Sequence, residues 1–544
     1  MQISLEKLLG KKNKRVFHKY KKLPVLALGL ISAILLTVLY PANIYARQGD
    51  SGYEGGISTG ETPKIIGTTT STSSKAEYQY EEPCFLTGTP VILSGTLTIN
   101  KKLKEDTKTK LQTLTTQYVY DLQNSDMGLE LSRNLTFVTA ITTKPNGQKT
   151  ESTQLSKATE TLTDSVNDVR YRIANTTDYV LSKSILNDIK PAVNYFAGNL
   201  WSKKTYRTGT AISDTVVVES TGKYYGYDQY WSSAEAQVIN QTISINKPGK
   251  DPVVVGNVDI EMSTTTKKDL KYYQNVPNEI SFSGGYVQTQ NNDNVLKYTA
   301  NLSEIDKKKQ PTGKIIKYEN SLSLPSFPAQ ERLVSPNLNQ LKGHPSEESI
   351  TLLFGLEAFN DENSFDPEEY MSRAEFIDAF LKVAKAVPLD PVFAKVRRTT
   401  SSTKNVPVIS PFADIPVTHP YFNSINDAAS RGLTSGGTES KFRPDSLITI
   451  SEAVTIMINS LGLTSLAPNP APVTDFRDND KIPSFARAPI YVAERIGLIS
   501  EDTKGYINPN NNITKAKAAD MMKAYVDYMS NGIRNDYMER LISY

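Results

Sequence analysis

Cysteine is almost missing from this chain: Cys84 is the only one in 544 residues. An intramolecular disulfide framework and a cysteine-rich zinc site are thereby excluded. Histidine is nearly as scarce, with His18, His344 and His419 far apart in sequence. A histidine-based metal centre or a Ser-His-Asp triad is disfavoured, and no cofactor, metal site or catalytic set is expected. An excess of charge is also lacking. The 61 Lys and Arg face 58 Asp and Glu, a formal +3, too even for a nucleic-acid binder built on a basic surface. Tryptophan occurs twice, against 29 tyrosines.

A long apolar run occurs at one place, Leu23 to Tyr40, after eight Lys or Arg and before the small residue Ala46. A basic stretch, an apolar stretch and a small residue describe a secretory signal peptide, here residues 1–46. The alternative is an uncleaved anchor, because about 18 apolar residues approach the spanning length. Either reading sends the rest of the chain out of the cytoplasm. These 46 residues carry one acid, Glu6, so the chain beyond them holds 53 basic and 57 acidic residues, a net −4. The positive sign of the whole sequence belongs to the export signal.

Residues 47–83 are rich in Gly, Ser and Thr and read as a flexible tether. Residues 84–320 alternate Thr, Val, Ile and Tyr with polar residues, in runs such as Val91–Ile99, Leu135–Thr143, Thr215–Tyr225 and Val253–Met262. Period-2 runs bounded by Gly, Asn and Pro predict an all-β region, a sandwich, barrel or extended sheet. Turns are expected at Lys144–Gly147, Lys247–Lys250 and Asn291–Asn294, a short helix in Lys101–Leu111, and a helical or irregular stretch at Ser184–Gly198. Residues 321–343, with Pro325, Pro328 and Pro336, read as a linker. Beyond them the apolar period becomes helical, as at Phe376, Ile377, Phe380, Leu381 and Ala384. The expected fold class is therefore multidomain: an all-β N-terminal extracellular region and an all-α C-terminal region.

The helical third repeats itself. Phe412-Ala413-Asp414 recurs as Phe476-Arg477-Asp478. A helix follows each, ending at Gly432 or Gly497, where glycine accepts a left-handed cap. Phe442-Arg443-Pro444 matches Ile507-Asn508-Pro509. Thr449 and Thr514 are natural N-caps of the next helix. An earlier copy keeps Phe365-Asp366-Pro367 and Ser372-Arg373-Ala374-Glu375, whose Ser-x-x-Glu is a capping box.

These residues resemble the S-layer homology module, here as three tandem copies at residues 344–400, 407–465 and 472–530, the first and third degenerate. The resemblance implies a pseudo-threefold helical lobe whose grooves bind secondary cell-wall polysaccharide, often pyruvylated, at the surface of a Gram-positive-type bacterium. The motif arginine would face the anionic sugar, since a guanidinium fork suits a carboxylate. Free N–H donors at a helix start would add to it. Only Arg373 matches that arginine. The second copy has Ile450 there and the third has Lys515, a point charge. Asp414 and Asp478 match the acid that opens each module, as ligand contacts or as N-caps of the first helix. Glu375 and Glu452 read as capping residues. Self-assembly or other surface proteins complete the expected partners.

Other chemistry is weaker. Asp259 and Glu261 share a strand face, but a solvated face is the plainer reading. The cluster Lys223–Trp231, rich in tyrosine, is either an exposed platform or, as favoured here, strand packing. His419 is expected as a structural loop residue and Cys84 as an inert thiol. The function expected is non-covalent attachment to wall polysaccharide, displaying a structural or binding β region. The alternative is a wall-anchored enzyme acting on polysaccharide through carboxylates in the β region.

Overall fold

The computed structural model describes residues 54–58, 64–65 and 73–542, apart from 107, 110, 209–213, 274–284, 306–310, 325, 327, 389–390, 394–409, 435–439 and 471–472. The expected signal segment 1–46 lies outside the described residues.

Residues 57–332 are β-rich. The strands are β1 (Ile57–Ser58), β2 (Lys64–Ile65), β3 (Ser73–Cys84), β4 (Val91–Glu105), β5 (Gln112–Asn124), β6 (Leu129–Thr143), β7 (Lys149–Asp164), β8 (Val169–Ile173), β9 (Tyr179–Ile189), β10 (Asn194–Arg207), β11 (Thr215–Asp228), β12 (Ser232–Asn246), β13 (Val253–Tyr273), β14 (Gly285–Ile305), β15 (Pro311–Leu324) and β16 (Ala329–Arg332). They form one antiparallel meander from β3 to β15, with β1 and β2 on β3, and β16 on β14. Strands β8 and β9 lie end to end between β7 and β10.

Strict alternation builds this sheet. In β6 the odd residues Leu129 to Ile141 are buried and the intervening ones are exposed or half-buried, the signature of a sheet with one dry face. The dry faces meet because the sheet rolls on itself. Phe85, in the β3–β4 turn, meets Tyr298 of β14 with ring centroids 5.3 Å apart. Tyr80, Leu97, Tyr118, Leu135, Leu162, Leu200, Ile239 and Leu296 join one inner core.

Several expectations change here. The tether span 47–83 contains β1, β2 and β3, and Ala76, Tyr78 and Tyr80 alternate into the core. The short helix expected after Asn100 is absent among the described residues; β4 runs to Glu105, paired with Gln112. Ser184–Gly198 is two strands, β9 and β10, around a tight turn in which Lys190 N–H bonds Val193 O. Asn291–Asn294 is mid-strand in β14, where Thr264 donates to Asn294 and Asn291 donates to Asp269. Cross-strand hydrogen bonds there engage polar side chains that a turn would otherwise expose. The turns at Gly147 and Gly249 form as expected, at φ 84° and 74°. The linker span is docked: β16 pairs with β14, and Leu338 and Leu341 are buried in the helical core.

Residues 347–542 are helical: α1 (Glu347–Gly355), α2 (Arg373–Ala384), α3 (Phe422–Ser430), α4 (Ile450–Leu461), α5 (Arg487–Arg495), α6 (Lys515–Asp527) and α7 (Ile533–Ile542). Helices α2, α4 and α6 form the centre. Their N-termini are laced in a ring: Met371 N–H bonds Ile513 O, Ile513 N–H bonds Ile448 O, and Ile448 N–H bonds Met371 O, at 3.0 to 3.1 Å.

Their C-termini meet the rolled sheet. The last carbonyls of a helix lack intrahelical donors, and the sheet supplies them. The Trp231 indole donates to Val383 O of α2 at 3.0 Å. Tyr195 Oη donates to Leu461 O of α4 at 2.9 Å, and Ala192 N–H to Ser460 O. Ser232 and Gln229 both donate to Met529 O, just past α6. Arg540 of α7 bonds Gly462 O and pairs with Asp188 at 2.7 Å. Trp231, Tyr195, Tyr227 and Tyr286 belong to the helical core itself. The expected aromatic cluster thus packs, with Trp231 fully buried, and forms no exposed platform.

Candidate functional site

The boundaries between the three helix pairs are built the same way. Ser372 and Thr449 cap α2 and α4 as full capping boxes with Glu375 and Glu452. Thr514 caps α6 by accepting from Lys517 N–H, without the box because Lys517 stands where the acid would be. The next two amides of each helix reach the neighbouring pair. Arg373 and Ala374 bond Ser446 O and Pro444 O. Ile450 and Ser451 bond Asn511 O and Pro509 O, and Lys515 and Ala516 bond Glu369 O and Pro367 O. The free donors expected at these helix starts are therefore consumed in joining the units.

Arg373 lies across the first boundary. Its Nε donates to Phe442 O at 3.1 Å, Nη1 pairs with Glu452 Oε1 at 2.5 Å, and the guanidinium sits 5.2 Å from the Phe442 ring centre. Glu452 divides its oxygens, Oε2 taking the cap and Oε1 the arginine. Lys515 repeats the pattern against the first unit, paired with Glu369 and 5.5 Å from the Phe365 ring centre. At the third boundary Ile450 and Ile507 occupy the same positions, and both are buried. Two boundaries thus present a partly exposed cation on an aromatic ring; the third is apolar.

Asp414 and Asp478 face elsewhere. Asp414 accepts from Phe442 N–H and Arg443 N–H at 2.8 and 2.7 Å. Asp478 accepts from Ile507 N–H and Asn508 N–H at 3.2 and 2.8 Å. Arg443 and Asn508 are left-handed, φ 60° and 53°, a strained state for a residue with a Cβ. The carboxylates hold these strained turns. Burial pushes the Asp414 carboxyl up, but the backbone donors outweigh it and keep it below its usual value. Neither aspartate N-caps the first helix of its unit: the N-cap residue is Tyr421 for α3 and Ala486 for α5, both without a side-chain cap. Gly432 and Gly497 take the left-handed form expected of them, φ 73° and 71°. His419 accepts from Tyr421 N–H at 3.2 Å, a loop role.

In the β region, Asp259 and Glu261 lie on the exposed face of β13. The chemistry that sequence reasoning missed lies inside the roll. Arg133 clamps Glu82 through two bonds of 2.8 and 2.9 Å and binds Glu160 at 2.9 Å. Lys204 pairs with Glu160 at 3.2 Å and with Glu54. Tyr206 donates to Glu160, and Tyr179 to Glu54. Burial raises Glu82 despite Arg133. Burial also acts on Glu160, but Arg133 and Lys204 prevail and hold it well below the usual range. The cluster borders a cavity of about 60 Å³. Its signal in the sequence is a charge at an inward period-2 position: Arg133 falls between Leu131 and Leu135, and Glu160 between Ala158 and Leu162. Cys84 is buried nearby, its thiol pushed up to about 12 by desolvation.

Comparison with known proteins agrees with the repeat. The S-layer homology domain matches residues 411–453 and 475–519. An Exoglucanase XynX of Acetivibrio thermocellus is 20% identical over 391 residues, 63% of this chain and 34% of that protein. The chain spans about a third of the length of that relative. Residues 411–519 are thus an S-layer homology region, which anchors the chain at the cell surface beside a β-rich surface domain.

Proposed function

We propose that the helical lobe attaches the chain non-covalently to secondary cell-wall polysaccharide, and that residues 344–400 act as a third, degenerate module. The observation that carries the reading is Arg373: a guanidinium resting on Phe442, held by a carboxylate that can be replaced. A carboxylate on the polymer, such as a pyruvate ketal, takes the place of Glu452 Oε1, while Glu452 keeps its cap through Oε2. Charge-assisted bonds of this kind are short and directional. Lys515 offers a second, less specific contact. The apolar boundary at Ile450 contributes none. Because the N-terminal ring and the sheet lie at opposite ends of α2, α4 and α6, roughly 18 Å apart for 12 residues at 1.5 Å each, the grooves face away from the β region. The β region is then displayed outward as a structural or binding element.

The test uses the full chain and purified cell walls, before and after removal of pyruvylated polysaccharide. Binding should fall on removal, and Arg373→Ala should weaken it about tenfold, the loss of one charge-assisted contact. Undiminished binding after removal overturns the reading. A second reading, an enzyme acting on wall polysaccharide, rests on the name of the similar exoglucanase. It requires release of reducing ends from a β-glucan by the full chain.

A further inference from the structure

The rolled sheet carries a feature that the anchoring reading does not use. Strand β7 has two partners on one side, β8 for Glu160–Asp164 and β9 for Lys149–Gln154. Between them, opposite residues 155–159, the chain leaves the ladder through residues 174–178. On the other side of β7 the register with β6 shifts between Thr136 and Phe137. Such irregularities re-aim side chains and open concave ground on a sheet. The result is a groove of about 830 Å³ running from β3 across β4, β5 and β6 to the 174–176 loop.

Its chemistry has one sign. Lys75, Lys101, Lys102 and Lys157 line it, and none of its sixteen lining residues is a carboxylate. That contrasts with the net −4 of the chain beyond residue 46. Along the floor an amide ladder runs from Asn100 Nδ2 to Gln117 Oε1, 3.2 Å, and from Gln117 Nε2 to Asn134 Oδ1, 3.1 Å. The exposed Asn134 amide ends that ladder with its N–H donors. No aromatic ring lines the groove, so stacking on an apolar sugar face has no platform here. Fixed amides and the exposed ammonium groups of Lys75, Lys102 and Lys157 in a shallow cleft suit a hydrophilic polymer bearing regularly spaced anions.

We infer that this groove binds an anionic polysaccharide, giving the β region its own contact with acidic polymer, separate from Arg373 and Lys515. Carboxylate and phosphate groups on such a polymer share the recognising chemistry. The experiment measures binding of the full chain to polygalacturonate, to polyphosphate and to neutral dextran at rising salt. Both polyanions should bind, weakening with salt, and dextran should not. Replacing Lys75, Lys101, Lys102 and Lys157 together by Gln should reduce affinity about tenfold or more, as the three exposed charges at Lys75, Lys102 and Lys157 imply. Loss confined to polygalacturonate assigns a carboxylate polymer; loss confined to polyphosphate assigns a phosphate polymer. Thr136→Trp fills the groove with every charge kept and should weaken binding alike, which preserves the test if the four-lysine variant misfolds. Arg373→Ala should leave these affinities unchanged, so failure here and failure of anchoring are read separately. The inference is overturned if neither polyanion binds, or if Thr136→Trp and the four-lysine variant bind as the parent does. It is also overturned if replacing Lys108, Lys250, Lys271 and Lys297, outside the groove, lowers affinity as much.

Discussion

Trp231→Ala should destabilise the sheet and the helices together. The side chain is fully buried, in the turn between β11 and β12, among residues of the helical core. Truncating a buried Trp costs about 3–5 kcal/mol through lost burial and the cavity left behind. The indole is also the donor to Val383 O at the end of α2. Leaving that carbonyl unsatisfied adds about 1–3 kcal/mol. Trp231→Phe separates the terms: it keeps most of the volume and should lose mainly the hydrogen-bond part. Urea unfolding provides the assay. Trp201, on β10, remains as the single fluorescent reporter of the sheet, and far-ultraviolet circular dichroism follows the helices. Both signals should shift to lower urea by the same amount. A loss below about 1 kcal/mol would refute the reasoning. So would helices that melt separately from the sheet in the parent protein, since a shared core predicts one transition.

Arg133→Met should be among the most damaging substitutions, about 3–5 kcal/mol by denaturant unfolding, because Glu54, Glu82 and Glu160 would keep only Lys204 as a buried counter-charge. Lys268 should make stability rise with pH. Desolvation, with Lys385 adding to it, lowers its pKa from 10.5 to about 7. The unfolded chain therefore holds a proton that the native protein has shed, and stability climbs across that window by up to a few kcal/mol. Lys268→Met should flatten that rise in a melting series from pH 6 to pH 10. Asp478→Ala should free two backbone donors at the strained Asn508 turn and lower the melting temperature; equal stability of variant and parent would contradict the clamp.

The helical third was legible because its determinants are local. A capping residue, the apolar period and a left-handed glycine all lie within one helix of each other, and the repeat presents them more than once. The roll was less legible because strand pairing and closure are set by contacts far apart in sequence. Ser73–Cys84 was hidden by its Ser and Glu content, although Ala76, Tyr78 and Tyr80 keep period 2. The Lys-rich stretch after Asn100 suggested a helix, yet its cross-strand partners decide for a strand. The buried cluster draws Glu54, Glu82, Arg133, Glu160 and Lys204 from five separate places, and nothing in any one stretch announces the others. The repeat marks Asp414 and Asp478 as the acids that open their modules, but their role depends on a turn 28 to 30 residues away.

The caps that the sheet places on α2, α4 and α6 have a consequence for assembly in time. The β region precedes the helices in the chain, so it leaves the ribosome first. Val383 O, Leu461 O and Met529 O take their donors from strand ends and turns of that sheet, so these helix ends are completed only once it has formed. The sheet thus completes the helical lobe, and the two regions are expected to reach the native state together.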